Sequence, residues 1–344
     1  MQGGFALKHI SDQGPFYEHP NTSLMLLNDA LISSDGLFLS AKPARHNSKG
    51  GAFFRLPQRL TEGFDLELIV EITPQSPSCH RWSGLASAES WCRMRGADGL
   101  ALLFSKGTGA GGVPYLGEVP ALGDNGAGMG YQGVRNSLAL EFDVSHNHEL
   151  GDPSGNHLSW QSSGPGRANT ASHAGSLSHT SEIPYLSDGQ EHRVRVRYDA
   201  LLEPHHVHDP AFDFTSHKGS NLASSFLSEP GGGGGSTIDT QQGGRTYGVG
   251  KGGSEPGAMS VYIDDLTRPV LVTPVNLERV LGLAVNEKVW VGLTSASGEK
   301  YAQVRVSSFS LIDFTCPSDC HVRMCHARVV MYACVHELNS CVYI

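Results

Sequence analysis

The sequence predicts an all-β fold of two packed antiparallel sheets. Three observations carry the prediction. Short segments alternate apolar and polar residues with a period of two. Each is bounded by Gly, Pro, Asn, Asp or Ser, the residues that supply turns. The chain of 344 residues holds 42 glycines and 18 prolines, with few long runs of helix-forming residues between them. Length alone allows one large β domain or two ordinary ones.

In chain order the alternating segments are "FDLELIVEI" from Phe64, "GLALLF" from Gly99, "SLALEFDV" from Ser137, "HRVRVRYD" from His192, "SVYIDD" from Ser260, "VWVGLTS" from Val289 and "VRVSSFSLIDF" from Val304. A series of this kind without an intervening helical period packs as sheet on sheet. In the fourth segment Val194, Val196 and Tyr198 face inward, while Arg193, Arg195 and Arg197 face water or neighbouring strands. A strand buried on both faces of a parallel sheet does not carry three arginines.

Two regions interrupt the rhythm. From about Leu202 to Ala258 the chain runs through "HHVHD", "EPGGGGGST" and "QQGGRTYGVGKGG". Five consecutive glycines cannot bury enough apolar surface to offset their ordering entropy, so this stretch reads as a flexible insertion within one domain. Its three histidines offer a zinc site, against the plainer reading of solvated linker residues. The second interruption is "CHRWSGLASAESWC", the loop from Cys79 to Cys92. Its ends form a disulfide in an oxidising compartment or stay as free thiols. Beyond Phe314, the segment 315–344 carries Cys316, Cys320, Cys325, Cys334 and Cys341 at spacings that fit no common zinc template. It is a separate Cys-rich tail without an assigned role.

The formal net charge of -9 and the lack of a long basic run exclude a general nucleic-acid binder, which must neutralise phosphates. No stretch approaches the roughly 20 apolar residues of a membrane span. The opening "MQGGFALKHISDQG" lacks the charged-then-apolar layout of a secretory signal. Asn21-Thr22-Ser23 fits the N-glycosylation triplet, which matters only in a secreted protein.

Chemistry concentrates in "LALEFDVSHNHELGDPSGNH", Leu138 to His157. On a strand Glu141 and Asp143 project together from the face opposite Leu140, Phe142 and Val144. Like charges at that spacing repel, so a positive partner is expected: a metal, a ligand or a neighbouring arginine. Asn147, Asp152 and His157 can fold back over the same face through turns at Gly151-Asp152-Pro153 and Ser154-Gly155. Oxygen ligands suit calcium, and an imidazole among carboxylates suits manganese or another transition metal.

The spacing from Glu141 through Asp143, Asn147 and Asp152 to His157, with "GDP" at 151–153 and "NSLALEFD" before it, resembles the metal-binding segment of the legume-type (L-type) lectins. Other segments agree in order. "NDALISSDGLFLSA" and "GGAFFRLPQRL" resemble the family's opening strands, "GADGLALLF" its Asp-Gly segment, and "VWVGLTSASGEKYAQVRVSSFSL" its closing strands. The resemblance covers about Leu24 to Phe314 outside the two interruptions. It implies an N-terminal extension over 1–23 and a single lectin domain over 24–314, folded as a concanavalin-like antiparallel β-sandwich or jelly roll.

By the same resemblance, Glu141, Asp143, Asp152 and His157 hold a transition-metal ion such as Mn2+. Asp143 and Asp152 also hold Ca2+, with Asn147 and the backbone carbonyl of Ser145. Asp98 and Asn147 then hydrogen-bond a sugar, and the Ala97-Asp98 peptide is expected to be cis. Gly126 and Gly128 in "GDNGAGMGYQG" match the loop whose backbone approaches the sugar, and Ser297, Gly298 and Glu299 the loop that sets monosaccharide preference. The chain departs from the family in one place: Ser145 and His146 stand where many members place an aromatic ring. Stacking on the sugar is left to His146, Tyr131 or Tyr115.

The implied function is a Ca2+- and Mn2+-dependent lectin without catalytic turnover. Its partners are glycans or glycoproteins, its place outside the cell or in the endomembrane system, and homodimerisation through sheet edges is a further expectation. Two rivals remain. A glycoside hydrolase on the same sandwich needs a second, acidic carboxyl beyond Asp143, but positions 146 and 147 are His and Asn. An interaction or cargo module would keep the fold without binding sugar.

Overall fold

Period-two alternation becomes two large sheets. The computed structural model describes residues 24–81, 90–107, 122–213, 236–239, 246–249 and 256–314. In chain order the strands are β1 (Leu24–Asn28), β2 (Leu31–Ser33), β3 (Gly36–Phe38), β4 (Lys49–Phe54), β5 (Phe64–Pro74), β6 (Ser76–Arg81), β7 (Ser90–Arg95), β8 (Gly99–Ser105) and β9 (Ser137–Asp143). They continue as β10 (His157–Gln161), β11 (Ser176–Thr180), β12 (Glu191–Asp199), β13 (Ser236–Asp239), β14 (Thr246–Val249), β15 (Gly257–Ile263), β16 (Leu271–Val275), β17 (Trp290–Ala296) and β18 (Ala302–Asp313). One sheet runs β1-β4-β17-β8-β9-β10-β11 and the other β16-β15-β12-β5-β18-β3-β2. Their named pairings are all antiparallel. The fold is the concanavalin-like antiparallel sandwich.

The core lies between the sheets. Leu100, Leu102 and Phe104 of β8 and Leu138, Leu140 and Phe142 of β9 pack in one cluster with Leu66, Leu68 and Val70 of β5 and Val194, Val196 and Tyr198 of β12. Across the outer face of the second sheet, the β12 arginines meet acids of β5: Arg193 pairs with Glu67 at 2.7 Å, and Arg195 with Asp65. The arginines read from the sequence as facing out thus hold a cross-strand ion-pair ladder.

All seven residues of β9 are buried, because its second face is also covered. Ala139 of β9 and Ala101 and Leu103 of β8 join Met129, Tyr131, Val134 and Ala171 in a separate apolar cluster. The segment 122–136 therefore lies over the first sheet and roofs the face that carries Glu141 and Asp143.

Three features differ from the sequence reading. The Cys79–Cys92 region has a strand pair within it, β6 with β7, and the backbone register sets Cys79 directly opposite Cys92. The region read as a flexible insertion opens on an ordered turn, helix α1 (Pro204–Val207). Glu203 caps that helix, its N–H donating to His206 Nδ1 at 3.1 Å. His206 is buried, with Nε2 3.2 Å from Asp199, so it is a packed structural residue and no linker histidine. At the other end, Gly257 and Ala258 belong to β15. A second short helix, α2 (Leu277–Leu281), is capped by Asn276, which accepts from the Arg279 N–H, and ends at Gly282 in the left-handed region. Among the described residues no helix is long and apolar enough to cross a membrane. The 1–23 extension with Asn21, Tyr115 and the 315–344 tail lie outside the described residues.

Candidate functional site

Register brings together the side chains expected to ligate a metal. Asp143, the last residue of β9, sits opposite His157, the first residue of β10, and opposite Gly99, the first residue of β8. The intervening segment 144–156 leaves the sheet at Asp143 and returns at His157. Within it, residues 148–150 form a single 3-10 turn that Gly151 ends at φ 79°, a left-handed conformation that suits glycine. That turn carries Asp152 back toward the sheet, where its Oδ2 accepts from the Asn147 N–H at 2.7 Å.

Ligand atoms of Asp143, Asp152 and His157 all lie within 4.8 Å of one another. Asp143 is 4% exposed and His157 fully buried. His157 Nδ1 lies 3.0 Å from the Ser154 carbonyl, which fixes the proton on Nδ1 as the donor. Nε2 is left with its lone pair, buried and without a hydrogen-bond partner. This is the arrangement of a metal-ligating histidine, whose outer nitrogen donates to an acceptor. Asn147 Oδ1 is likewise buried and unpartnered. Two orphaned acceptors beside two carboxylates fit a divalent cation, since a buried acceptor left without a partner is costly.

The electrostatics agree. Burial, then the charge of Glu141, raises the Asp143 carboxyl well above its usual range, with the Ser145 N–H opposing at 2.7 Å. Burial raises Asp152, with the Asn147 N–H opposing, and pushes Glu141 up to about 8 against its hydrogen bonds from Tyr131 and Gln161. Burial pulls His157 down to about 4, so its ring is neutral at pH 7. Among the described residues, the hydrogen bonds to these three carboxylates come from a tyrosine, a glutamine and two backbone amides, none from lysine or arginine. The neighbouring-arginine explanation for the acidic strand therefore finds no support at the site.

Beside the acids lies a further buried aspartate, Asp98. The Ala97–Asp98 peptide is cis, as the sequence led us to expect. Asp98 is 6% exposed, and its Oδ2 accepts from the Gly298 N–H at 3.1 Å. Its carbonyl accepts from the Val144 N–H at 3.1 Å, which ties Asp98 to the start of the segment 144–156. Gly99, at φ 137°, passes so close to β9 that a Cβ there would stand 2.2 Å from the Phe142 carbonyl. Gly126 and Gly298 face each other over Asp98: a Cβ on Gly126 would lie 3.6 Å from Gly298 Cα and 3.7 Å from Asp98 Oδ2. Burial pushes the Asp98 carboxyl up to about 6, with the Gly298 N–H and then Lys300 opposing.

The sequence-predicted residues divide accordingly. Asp143, Asp152 and His157 converge, and Asp98, Gly126 and Gly298 converge beside them. Asn147 presents its free oxygen on the segment that joins the two ends. Ser145 contributes its N–H to Asp143. Gly128 points elsewhere: a Cβ there would meet Asp124 at 2.9 Å and Gln132 at 3.2 Å, within its own loop. Glu299 is exposed, next to Gly298. Ser297 donates its hydroxyl to the Arg45 carbonyl at 2.9 Å. Tyr131 is fully buried and cannot stack on a ligand, which corrects that expectation. His146 is exposed, its ring 4.0 Å from that of His148. Sequence reasoning missed Gln161, which donates from Nε2 to Glu141 at 3.1 Å; its place two strand periods beyond His157 was the available signal.

Among solved structures, the chain is similar to lectin I-B4 from Griffonia simplicifolia in its metal-free form, at 16% identity over 86% of this chain and 96% of that one, with a TM-score of 0.49. It is similar to a lectin from Bauhinia forficata in complex with GalNAc, at 15% identity over 86% and 94%, TM-score 0.48. The exoplasmic/lumenal domain of VIP36 in a Ca2+/Man-bound form matches at 10% identity over 87% and 86%, TM-score 0.49. No family model and no curated protein matches the chain.

Proposed function

We propose that this chain is a legume-type (L-type) lectin domain that binds glycans in a Ca2+- and Mn2+-dependent manner and does not turn them over. The observation that carries the reading is the pairing of a convergent Asp143-Asp152-His157 set with an unpartnered Asn147 Oδ1, next to a buried Asp98 faced by Gly126 and Gly298. A divalent cation bound there supplies the positive charge that the buried carboxylates lack. Asp143, Asp152, Asn147 Oδ1 and the Ser145 carbonyl suit calcium, and His157 with Glu141 and the two aspartates suits a transition metal. With its oxygen committed to the cation, Asn147 keeps its NH2 to donate to a sugar hydroxyl. Asp98 accepts from further hydroxyls, and the backbone at Gly126 and Gly298 is bare enough for close approach. Among the described residues, the exposed His146 is the ring left to pack on the sugar, and Glu299 is exposed beside Gly298. Where the sandwich-fold hydrolase would place its acid, this chain has His146 and Asn147. The secretory pathway or cell exterior is the compartment this reading implies.

The full chain on a glycan array, in Ca2+ and Mn2+, is expected to give signal that disappears with a chelator and returns when Ca2+ is restored. Glycan binding indifferent to chelation would overturn the reading, and so would release of reducing sugar on prolonged incubation. Asp98→Asn keeps size and fold but replaces a charged acceptor. A hydrogen bond to a charged group is worth roughly 1.5–3 kcal/mol, so glycan affinity should fall about tenfold to a hundredfold while cation binding is retained. Titration calorimetry with and without glycan checks both halves.

A further inference from the structure

The β6–β7 hairpin joins the end of β5, in one sheet, to the start of β8, in the other. Both of its ends meet the candidate sugar contacts. Arg95, its last residue, lies just ahead of Asp98 in the chain. At its first strand, the Gln75 N–H donates to the Tyr301 carbonyl at 3.3 Å, and the Ser76 hydroxyl donates to the same carbonyl at 3.1 Å, on the loop that carries Gly298 and Glu299. Among the described residues, β6 and β7 pair with each other and with no third strand. A two-stranded hairpin by itself is marginal in water, so a covalent link across this one has an effect to exert.

The register places such a link. Ser76 faces Arg95, Pro77 faces Met94, Ser78 faces Arg93 and Cys79 faces Cys92. In an antiparallel ladder, opposed pairs alternate between those that exchange both backbone hydrogen bonds and those that exchange none. Pro77 has no N–H to give, which makes Pro77 and Met94 a non-bonded pair. The Gln75 N–H agrees, because beside a bonded Ser76–Arg95 pair it must point away from β7, and it does, to the Tyr301 carbonyl. Two residues on, Cys79 and Cys92 fall in the same non-bonded class. Cα atoms of such a pair stand about 4.5 Å apart, inside the roughly 4.4–6.8 Å that a disulfide spans, and the two residues share one face of the ladder. The other cysteines all lie in 315–344.

We infer that Cys79 and Cys92 form a cross-strand disulfide that staples this arm beside the glycan site. The bond forms by exchange with a disulfide oxidant such as oxidised glutathione. One cysteine thiolate attacks the oxidant, giving a mixed disulfide and one glutathione thiol; the second thiolate attacks the mixed disulfide, closing Cys79–Cys92 and releasing the other glutathione. The two cysteines are oxidised, the oxidant is reduced, and the two protons they lose end on the glutathione thiols. An oxidising compartment lets the bond persist. Its effect on sugar rests on the lectin reading above: a closed arm holds Ser76 and Arg95 in register, and with them the approaches to Gly298 and Asp98, which lowers the ordering cost of binding.

The full chain is equilibrated with reduced and oxidised glutathione, alkylated, and digested with trypsin without reduction. Cleavage after Arg59, Arg81 and Arg93 separates the two cysteines, so the expected product is peptide 60–81 joined to peptide 82–93, two hydrogens lighter than the sum of its parts and parted by reductant. Recovery of the two peptides alkylated, or joined to a peptide of the 315–344 tail, overturns the inference. The variant Cys79→Ser/Cys92→Ser is expected to bind glycan about three- to tenfold more weakly than the oxidised parent. Reductant should bring the parent to the level of the variant and leave the variant unchanged. Equal affinity in the oxidised and reduced parent overturns the coupling of the staple to the site. Joined peptides in a parent that binds no glycan overturn the lectin reading and leave the disulfide standing.

Discussion

Asp143→Ala is expected to abolish cation binding and, with it, glycan binding, while leaving the metal-free protein at least as stable as the parent. Both halves follow from the position of Asp143 in the register. It is the residue of β9 that faces His157 and belongs to the convergent set with Asp152, so among the described residues no other carboxylate is placed to replace it. Loss of a directly ligating group should weaken cation affinity at least about a hundredfold, more than loss of a supporting contact does. Without a cation, however, Asp143 is a buried acid next to Glu141, and burial and that charge both oppose its ionised form. Its removal relieves both, with the loss of one acceptor for the Ser145 N–H. Calorimetric melting distinguishes the two effects. A cation at a hundred times its Kd stabilises the parent by about 2.7 kcal/mol, or roughly 5–10 °C for a domain of this size. Asp143→Ala should show no such rise. An equal cation-induced rise in parent and variant would sink the assignment of Asp143 as a ligand.

What the sequence made legible follows physical periods. The alternation in β9 set Leu140 and Phe142 against Glu141 and Asp143, and the structure places the first pair in the inter-sheet core and the second beneath the roof. His157 was legible because a turn-rich stretch returns the chain to the sheet, and antiparallel pairing then fixes its partner. Asp98 was legible only through its Ala-Asp-Gly context. What escaped is the side-chain chemistry that sequence spacing does not encode. Tyr131 looks in sequence like an available aromatic ring in a glycine-rich loop. Only the fold shows that the loop covers the sheet and turns the hydroxyl down onto Glu141. Gly128 was indistinguishable from Gly126 because the φ and neighbours of each depend on a tight turn that repeats glycine at every second position. Two short helices escaped because neither is long enough to show a period. Helix α2 did carry its caps in plain view, Asn276 before it and Gly282 after it. Helix α1 hid in a histidine-rich run where Pro204 at its first turn was the cue.

The metal-free protein should lose stability as the pH rises from about 6.5 to 8, the reverse of ordinary acid denaturation. The sign comes from carboxyls whose folded pKa lies above the unfolded one. Burial lifts Glu141 from 4.5 to about 8 and Asp98 from 3.8 to about 6, and it raises Asp143 and Asp152 as well. Such groups contribute stability that is fully present below the unfolded pKa and is lost as pH climbs through the folded one. His157 acts oppositely: burial lowers it from 6.5 to about 4, so its contribution is present above pH 6.5 and disappears toward pH 4. Below pH 6.5 it and Asp98 oppose each other, and above 6.5 the acids act alone. Integrated from pH 6.5 to 8, Glu141 by itself costs on the order of 1–2 kcal/mol, a fall in melting temperature of roughly 3–6 °C. Glu141→Gln should flatten that part of the slope. Saturating Ca2+ should behave differently again, because Asp143 and Asp152 must be ionised to ligate, so cation affinity rises with pH and the gap between loaded and metal-free melting temperatures widens. Melting curves at matched ionic strength, with chelator and with Ca2+, decide it: a metal-free melting temperature that rises across this window contradicts Glu141 as a buried acid, and a gap that stays constant contradicts the assignment of Asp143 and Asp152 as cation ligands.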